Sequence, residues 1–322
     1  MHYRPLGKTG LSVSEIGFGA WGIGGGWGKR RDDEARAALD RALELGVNFI
    51  DTALAYGDGV SERLVGQAIR NIGTPVVVAS KVPPKNQVWP ARPGTKLSDA
   101  FPTQYILDCT KRSLEHLGLE TIDIMQLHVW SDEWADQDEW KEAARVLKDT
   151  GLIRAFGISI NDHEPDNALK ALETGLIDTV QVIYNIFDQT PERSLLPRCQ
   201  ELGIGVIVRV PLDEGGLTGA IRPDTTFEPG DWREHYFSGG RKQEVYERVE
   251  RLRFLEHDGM DLPEAALRFC LSHPAVSTVI PGMRSPRRAE QNVKAGDGKA
   301  LSLQDLQALK AHEWPRNFYR DE

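Results

Sequence analysis

Eight short apolar runs alternate with longer amphipathic segments along the 322-residue chain, and this alternation constrains the fold more than any other feature. The runs that we predict to be strands are SEIGFG (14–19), GVNFI (46–50), PVVVAS (75–80), IDIMQL (122–127), IRAFGIS (153–159), DTVQVIY (178–184), GIGVIVR (203–209) and STVIPG (277–282). Strands that are apolar on both faces and joined by helices form parallel sheets covered by helices. Eight such units favour the α/β class and a single closed (β/α)8 barrel, the TIM barrel, over an open doubly wound sheet.

Helical periodicity between the runs predicts the helices that cover this sheet. They span residues 33–45, 61–70, 103–117, 138–149, 165–173, 191–201, 245–254 and 263–272. Ser61 and Thr103 are the predicted N-caps of the second and third helices. No change in composition and no Gly/Ser-rich linker divides the chain, so we expect one domain over residues 1–322.

Composition narrows the range of partners and compartments. The net charge of −9 argues against a nucleic acid or an anionic membrane as partner, because both need a concentrated basic surface. No uncharged apolar run approaches the ~18 residues of a membrane span, and no signal-peptide pattern is present, so we expect a cytoplasmic protein. Cys109, Cys199 and Cys270 lie far apart, which predicts buried reduced thiols rather than a metal site. The oligomeric state stays open.

A glycine pattern after the first strand resembles a dinucleotide fingerprint. Residues 17–22, GFGAWG, spell G-x-G-x-x-G. That motif works only where the third glycine opens a helix whose N-terminus meets a pyrophosphate. Here the sequence IGGGWGKRRDD delays the helix until Asp32 or Asp33, so we predict a glycine-rich loop and not a Rossmann site.

Ionisable side chains follow three of the predicted strands. Asp51 ends the second strand, Lys81 the third and His128 the fourth, and Tyr56 comes five residues after Asp51. Each alone is compatible with a turn cap, a solvated strand end or loop packing. In a parallel barrel all of them converge on one mouth, and together they indicate a site.

These four residue types suit the reduction of a carbonyl group. A lysine ammonium stabilises a phenolate and lowers the tyrosine pKa, and a buried lysine needs a counter-charge such as Asp51. Tyr56 is then a general acid for a carbonyl oxygen, which His128 can orient by a hydrogen bond. None of these side chains is a hydride source, so a cofactor should provide the hydride.

Three long segments, residues 82–102, 129–138 and 211–243, follow predicted strands and are too long to be simple turns. In a barrel they lie on the C-terminal face, where active sites are built. The aromatic residues that we expect to wall a pocket there are Trp130, Trp134, Trp232, Tyr236 and Phe237, and those expected around a substrate are Trp21, Trp27, Trp89 and Trp130.

The chain resembles the aldo-keto reductases over nearly its whole length. LGKTGLSVSEIGFGAWGIGG near the start, GVNFIDTALAYGDGVSE, VVVASKV, IDIMQLHVW and VIPGMRSPRRAEQNV near the end carry the resemblance. It implies a (β/α)8 barrel that binds NADPH or NADH without a Rossmann domain. It also implies a catalytic tetrad of Asp51, Tyr56, Lys81 and His128, with Tyr56 as proton donor.

The resemblance implies cofactor contacts as well. Those expected are Ala20 and Trp21; Ser159, Asn161 and Gln181 at the nicotinamide amide; Pro211, Leu212, Glu214, Gly216, Leu217 and Gly219 along the pyrophosphate; and Gly282, Arg284, Arg288, Gln291 and Asn292 at the adenosine phosphate. Arg209 replaces a common aromatic residue, so we expect it near the nicotinamide or pyrophosphate, with a structural salt bridge as the alternative. Two arginines at a helix start favour NADPH over NADH.

The predicted function is therefore NADPH-dependent reduction of an aldehyde, ketone or sugar carbonyl, with a small molecule as partner. Two alternatives remain at this point. One is an NAD(P)+-dependent sugar or polyol dehydrogenase, and the other is a nucleotide-sensing regulatory subunit with little turnover, as some members of this fold family are.

Overall fold

Eight parallel strands form the centre of the fold, as the sequence predicts. The computed structural model describes residues 1–25, 32–70, 72–161 and 163–316. Its strands are β1 (Tyr3–Pro5), β2 (Ser12–Ser14), β3 (Phe18–Gly19), β4 (Phe49–Asp51), β5 (Val77–Val82), β6 (Ile122–Leu127), β7 (Ile153–Ser159), β8 (Thr179–Ile183), β9 (Gly205–Arg209) and β10 (Val276–Val279).

The strands β3 to β10 pair side by side in chain order and close on themselves. Each neighbouring pair is parallel. The first and last strands meet through parallel bridges between Ile16 and Val279 and between Gly19 and Gly282. This closure confirms the predicted (β/α)8 barrel, and it brings the carboxyl ends of all eight strands to one face.

Helices follow the barrel strands along the chain. They are α1 (Asp32–Glu44), α2 (Val60–Ile69), α3 (Leu97–Ala100), α4 (Thr103–Leu117), α5 (Asp138–Asp149), α6 (Leu169–Glu173), α7 (Leu195–Leu202), α8 (Arg233–Tyr236), α9 (Arg241–Glu250), α10 (Leu262–Ser272), α11 (Pro286–Asn292) and α12 (Leu303–Leu309). The predicted bounds of α4 and α5 are confirmed, whereas α6 begins later because residues 165–168 form turns.

The two predicted N-caps are wrong. Gly59, with φ of 77°, precedes α2, and the Ser61 hydroxyl instead donates to the main-chain oxygen of Ala20 at 3.0 Å. Pro102 precedes α4, and the Thr103 hydroxyl donates to the main-chain oxygen of Glu139 at 3.0 Å. Both hydroxyls therefore fasten their helices to neighbouring elements rather than satisfying helix N–H groups.

The strands β1 and β2 form an N-terminal hairpin, which the sequence pattern did not predict. It packs against the end of the barrel at which the strands begin. Its Leu6 and Val13 are fully buried in one cluster with barrel residues such as Phe49 and Ile207. Gly205 permits this packing, because a Cβ there would lie 2.7 Å from the Leu6 side chain. The hairpin fills this end, which leaves the carboxyl ends of the strands for a site.

The three cysteines are buried and form no disulfide. Over the parts of the chain that the structure describes, the helices are all too short or too polar to cross a membrane.

Candidate active site

A cavity of about 1000 Å3 opens at the carboxyl ends of the barrel strands. Asp51, Tyr56 and His128 line it, and Lys81 lies buried beneath. The other predicted residues that line it are Ala20, Trp21, Trp89, Asn161, Gln181, Arg209, Pro211, Leu212, Glu214, Gly282, Arg284, Arg288, Gln291 and Asn292. Those that lie outside its wall are Ser159, Gly216, Leu217, Gly219 and Trp130.

An ion pair between Lys81 and Asp51 forms the floor of this cavity. Lys81 Nζ lies 2.5 Å from Asp51 Oδ1, and it donates to the main-chain oxygen of Thr52 at 3.0 Å. Burial, the largest influence, lowers the pKa of Lys81, but the Asp51 charge and Tyr56 oppose it and the pKa ends above its usual value. Lys81 is therefore an ammonium at neutral pH.

The phenol of Tyr56 lies above this pair. Lys81 Nζ donates to Tyr56 Oη at 3.3 Å. Burial raises the pKa of Tyr56 above its usual value, and the Lys81 charge only offsets part of that rise. The lysine alone would lower the pKa of Tyr56, as predicted from the sequence, but desolvation reverses the net direction. Tyr56 keeps its proton at neutral pH, which a general acid requires.

His128 stands between two aromatic rings at the cavity wall. Its ring lies edge-on to Trp89 at 4.6 Å and to Tyr56 at 5.5 Å between centroids. Burial, followed by the charges of Lys81 and Arg209, holds the pKa of His128 well below its usual value. The imidazole is therefore neutral, and a neutral imidazole can donate one hydrogen bond to a carbonyl oxygen.

Two glutamine amides hold the second oxygen of Asp51. Gln181 Nε2 donates to Asp51 Oδ2 at 2.7 Å, and Gln126 Nε2 lies 3.4 Å from the same oxygen. Gln126 is not among the site residues predicted from the sequence. The sequence nevertheless indicates its position, because Gln126 is a polar residue inside an apolar strand. It comes two positions before His128, and side chains two positions apart in a strand lie on the same face.

The end of β7 presents polar groups next to His128. The Asn161 amide, oriented by its surroundings, donates to the main-chain oxygens of Ser159 and His128. The Ser159 hydroxyl is buried and has no hydrogen-bond partner among the residues described. Asn161 lines the cavity and Ser159 supports it from below.

Arg209 lines the cavity at the end of β9 and is half-buried. Its Nη2 donates to the main-chain oxygen of Ile160 at 2.7 Å, and no ion pair joins it to a carboxylate in the described ranges. Its charge adds to the lowering of the pKa of His128 by burial and Lys81, and it offsets part of the rise that burial causes in the pKa of Tyr56. Arg209 is therefore electrostatically coupled to the reacting groups.

The loop after β9 has a left-handed backbone at three non-glycine residues. Val210, Asp213 and Glu214 have φ of 53°, 47° and 52°, a conformation that costs energy for such residues. Buried Asp213 anchors the loop, because it accepts from Tyr236 Oη at 2.5 Å and from Arg241 at 3.0 Å.

Burial raises the pKa of Glu214, which lines the cavity, to about 7, and the neighbouring charge of Asp213 adds to the rise. Gly216, Leu217 and Gly219 of the same loop do not line the cavity. Gly216 allows the turn, since a Cβ there would lie 2.5 Å from Asp213 Oδ2. Leu217 is fully buried.

The far end of the cavity has arginines on one side and a loop on the other. Arg284, Ser285 and Arg288 line it at the start of α11, where the Ser285 side chain accepts from the Arg288 N–H as its N-cap. The residues of the long loop that also line the cavity are Phe227, Glu228, Asp231, Trp232 and Arg233. Of these, only Trp232 is predicted from the sequence to wall the pocket.

The predicted pocket aromatics separate into two groups. Trp21, Trp89 and Trp232 line the cavity. Trp130, Trp134, Tyr236 and Phe237 are buried, with Trp130 packed edge-on to Trp134 at 5.9 Å and to Trp140 at 5.4 Å. The structure therefore places Trp130 in the core, and Trp27 lies outside the described residues.

Comparison with known proteins gives matches over nearly the whole chain. The sequence model of the Aldo/keto reductase family matches residues 15–313. Aldo-keto reductase YhdN of Bacillus subtilis is 32% identical, over 90% of this chain and 87% of that protein. The NADH-specific methylglyoxal reductase of Escherichia coli is 32% identical, over 96% and 97% respectively. The holo structure of aldo-keto reductase AKR11C1 from Bacillus halodurans is similar with a TM-score of 0.78, at 30% identity and 99% coverage of both chains.

Proposed function

The chain belongs to the aldo/keto reductase family of oxidoreductases, and we propose that it reduces an aldehyde, ketone or sugar carbonyl to the alcohol with NADPH. One observation carries this proposal. Tyr56 Oη lies 3.3 Å from the ammonium of Lys81, which is itself paired with Asp51, at the wall of a cavity that His128 also lines. A protonated phenol beside a fixed cation is a general acid placed for a carbonyl oxygen.

The residues of the cavity fit a nicotinamide dinucleotide. At one end the Asn161 side-chain oxygen can accept a hydrogen bond, and Gln181 keeps one N–H beyond the one that it donates to Asp51, which suits a carboxamide. Arg284 and Arg288 lie at the other end, which suits a phosphate. The bound cofactor would supply the hydride.

The chain's own residues deliver and direct the proton. Tyr56 gives its proton to the carbonyl oxygen while Lys81 stabilises the phenolate that remains. Asp51 keeps Lys81 charged, and neutral His128 donates a hydrogen bond that orients the same oxygen. Trp21 and Trp89 give the substrate end an aromatic wall.

A panel of carbonyl substrates and alcohols, each with NADPH, NADH and the oxidised cofactors, tests this function through absorbance of the reduced nicotinamide. We expect oxidation of NADPH with at least one class of aldehyde, ketone or sugar. Preferential oxidation of alcohols would support a dehydrogenase instead. If no substrate gives a rate above that of a Tyr56→Phe variant, the enzyme proposal fails and a nucleotide-binding regulatory role takes its place.

The preference for NADPH rests on Arg288 and Arg284. We expect Arg288→Ala to raise the KM for NADPH about tenfold and the KM for NADH much less, because a hydrogen bond to a charged phosphate is lost only with NADPH. Arg287→Ala is the matched control, since Arg287 is exposed on the same helix and does not line the cavity. Equal changes for both cofactors, or a wild-type preference for NADH, would contradict the NADPH assignment.

A further inference from the structure

Gln126 is a buried polar residue that the mechanism above does not use. It lies on β6 with no exposed surface, and it is not part of the cavity wall. Its amide nitrogen faces Asp51 Oδ2 at 3.4 Å, and its amide oxygen has no hydrogen-bond partner among the described residues. Burying an amide oxygen without a hydrogen-bond partner costs free energy, and an apolar side chain would avoid that cost. A glutamine at this position therefore indicates a role for its amide.

The barrel leaves space for this side chain. Gly157 is the neighbour of Gln126 across the β6–β7 pair. A Cβ on Gly157 would lie 3.1 Å from Gln126 Cγ and 2.2 Å from Thr179 Oγ1. The missing side chain on β7 therefore lets Gln126 extend inside the barrel toward Asp51.

We propose that Gln126 is a positioning residue that, with Gln181, holds the Asp51 carboxylate in the orientation that serves Lys81. This inference rests on the proposed function. Oδ2 of Asp51 receives both amides, from β6 and β8, while Oδ1 is left to the Lys81 ammonium. Donors from two strands on one oxygen resist rotation of the carboxylate about its Cβ–Cγ bond.

Two physical effects follow from this clamp. The two amides supply donors to the buried Oδ2, so this oxygen is not left without a hydrogen bond. A fixed Oδ1 keeps the Lys81 ammonium paired and directed at Tyr56 Oη. Gln126 does not reach the cavity, so it acts through Asp51 and not on the substrate.

Gln126→Met tests the inference, because methionine keeps the length and loses the donor. We expect kcat to fall about 3- to 10-fold with KM values for cofactor and carbonyl nearly unchanged. The alkaline limb of kcat should move about half a unit to lower pH, since a weaker Asp51 contact lets Lys81 lose its proton sooner. Tyr56 also acts on the charge of Lys81, and Arg209 acts on the charge of Tyr56. Neutral His128 lies beside them, and the variant retains all three residues.

Gln126→Glu provides a second, independent variant. A glutamate there sets a second carboxylate against Asp51, so we expect a larger loss of kcat that is recovered as the pH falls and the pair takes up a proton. A loss that does not depend on pH would overturn the proposal, and this variant decides alone should Gln126→Met not fold.

Gln189→Met is the matched control. Gln189 is also a buried glutamine, but its amide donates to the main-chain oxygens of Ile186 and Leu309, away from Asp51. It should lower the melting temperature and leave the pH profile in place. If Gln126→Met retains wild-type kcat and pH dependence, or if Gln189→Met moves the alkaline limb equally, the clamp is refuted. Neither result affects the reductase proposal, provided that the wild-type protein reduces a carbonyl substrate and the Tyr56→Phe variant does not.

Discussion

Replacing Tyr56 by phenylalanine is expected to lower the rate of carbonyl reduction by about 10²- to 10⁴-fold. The phenol oxygen lies 3.3 Å from the Lys81 ammonium and belongs to a residue of the cavity wall. Its raised pKa means that it carries a proton at neutral pH, and phenylalanine removes that proton with little change in shape. Stopped-flow or steady-state absorbance of the reduced cofactor measures the loss.

The same variant should bind the reduced cofactor with an affinity within about twofold of wild type, because the loss concerns the transition state and not the ground state. Quenching of protein fluorescence measures that affinity. A Tyr105→Phe variant is the matched control, since Tyr105 is a half-buried tyrosine on α4 and does not line the cavity. Activity of Tyr56→Phe within tenfold of wild type would remove Tyr56 from the role of proton donor.

The site residues that can be predicted from the sequence are those at the carboxyl ends of strands. Lys81 and His128 follow apolar runs directly, and a parallel barrel sends the carboxyl ends of all its strands to one face. Their meeting with Asp51 therefore follows from topology. The ion pair of Lys81 with Asp51 at 2.5 Å is the structural outcome of that prediction.

Loop residues escape such reasoning because no period governs them. Trp130 comes two residues after His128 and would share its face if β6 continued, but β6 ends at Leu127 and the chain turns. Trp130 then packs on Trp134 and Trp140 in the core. Asp231 lines the cavity from a long loop whose position depends on tertiary contacts, such as the anchoring of Asp213 by Arg241.

The charge states of the site residues cannot be predicted from the sequence for a different reason. A sequence shows that Lys81 and Tyr56 can meet, but the pKa of Tyr56 depends on how much water its surroundings exclude. Desolvation outweighs the lysine here and raises that pKa. The direction of the shift is therefore a property of packing.

Replacing Lys81 by methionine is expected to abolish turnover and also to lower the free energy of unfolding by about 3–5 kcal/mol. Both partners of the pair are buried, so the variant leaves Asp51 as a buried carboxylate with only amide donors. Urea denaturation followed by circular dichroism measures the stability. Arg198→Met in the exposed pair with Glu173 is the control, and it should leave the denaturation midpoint nearly unchanged.

The double variant Asp51→Asn/Lys81→Met separates stability from proton delivery. Asparagine keeps an oxygen that can accept from Gln181 and Gln126, and neither charge of the Lys81–Asp51 pair is left behind without its partner. We therefore expect the double variant to be more stable than Lys81→Met alone, because removing one partner of a buried pair costs more than removing both. It should remain inactive, since Tyr56 then has no ammonium to stabilise its phenolate. Recovery of activity along with stability would mean that the pair supports the fold alone and that Tyr56 delivers its proton without Lys81.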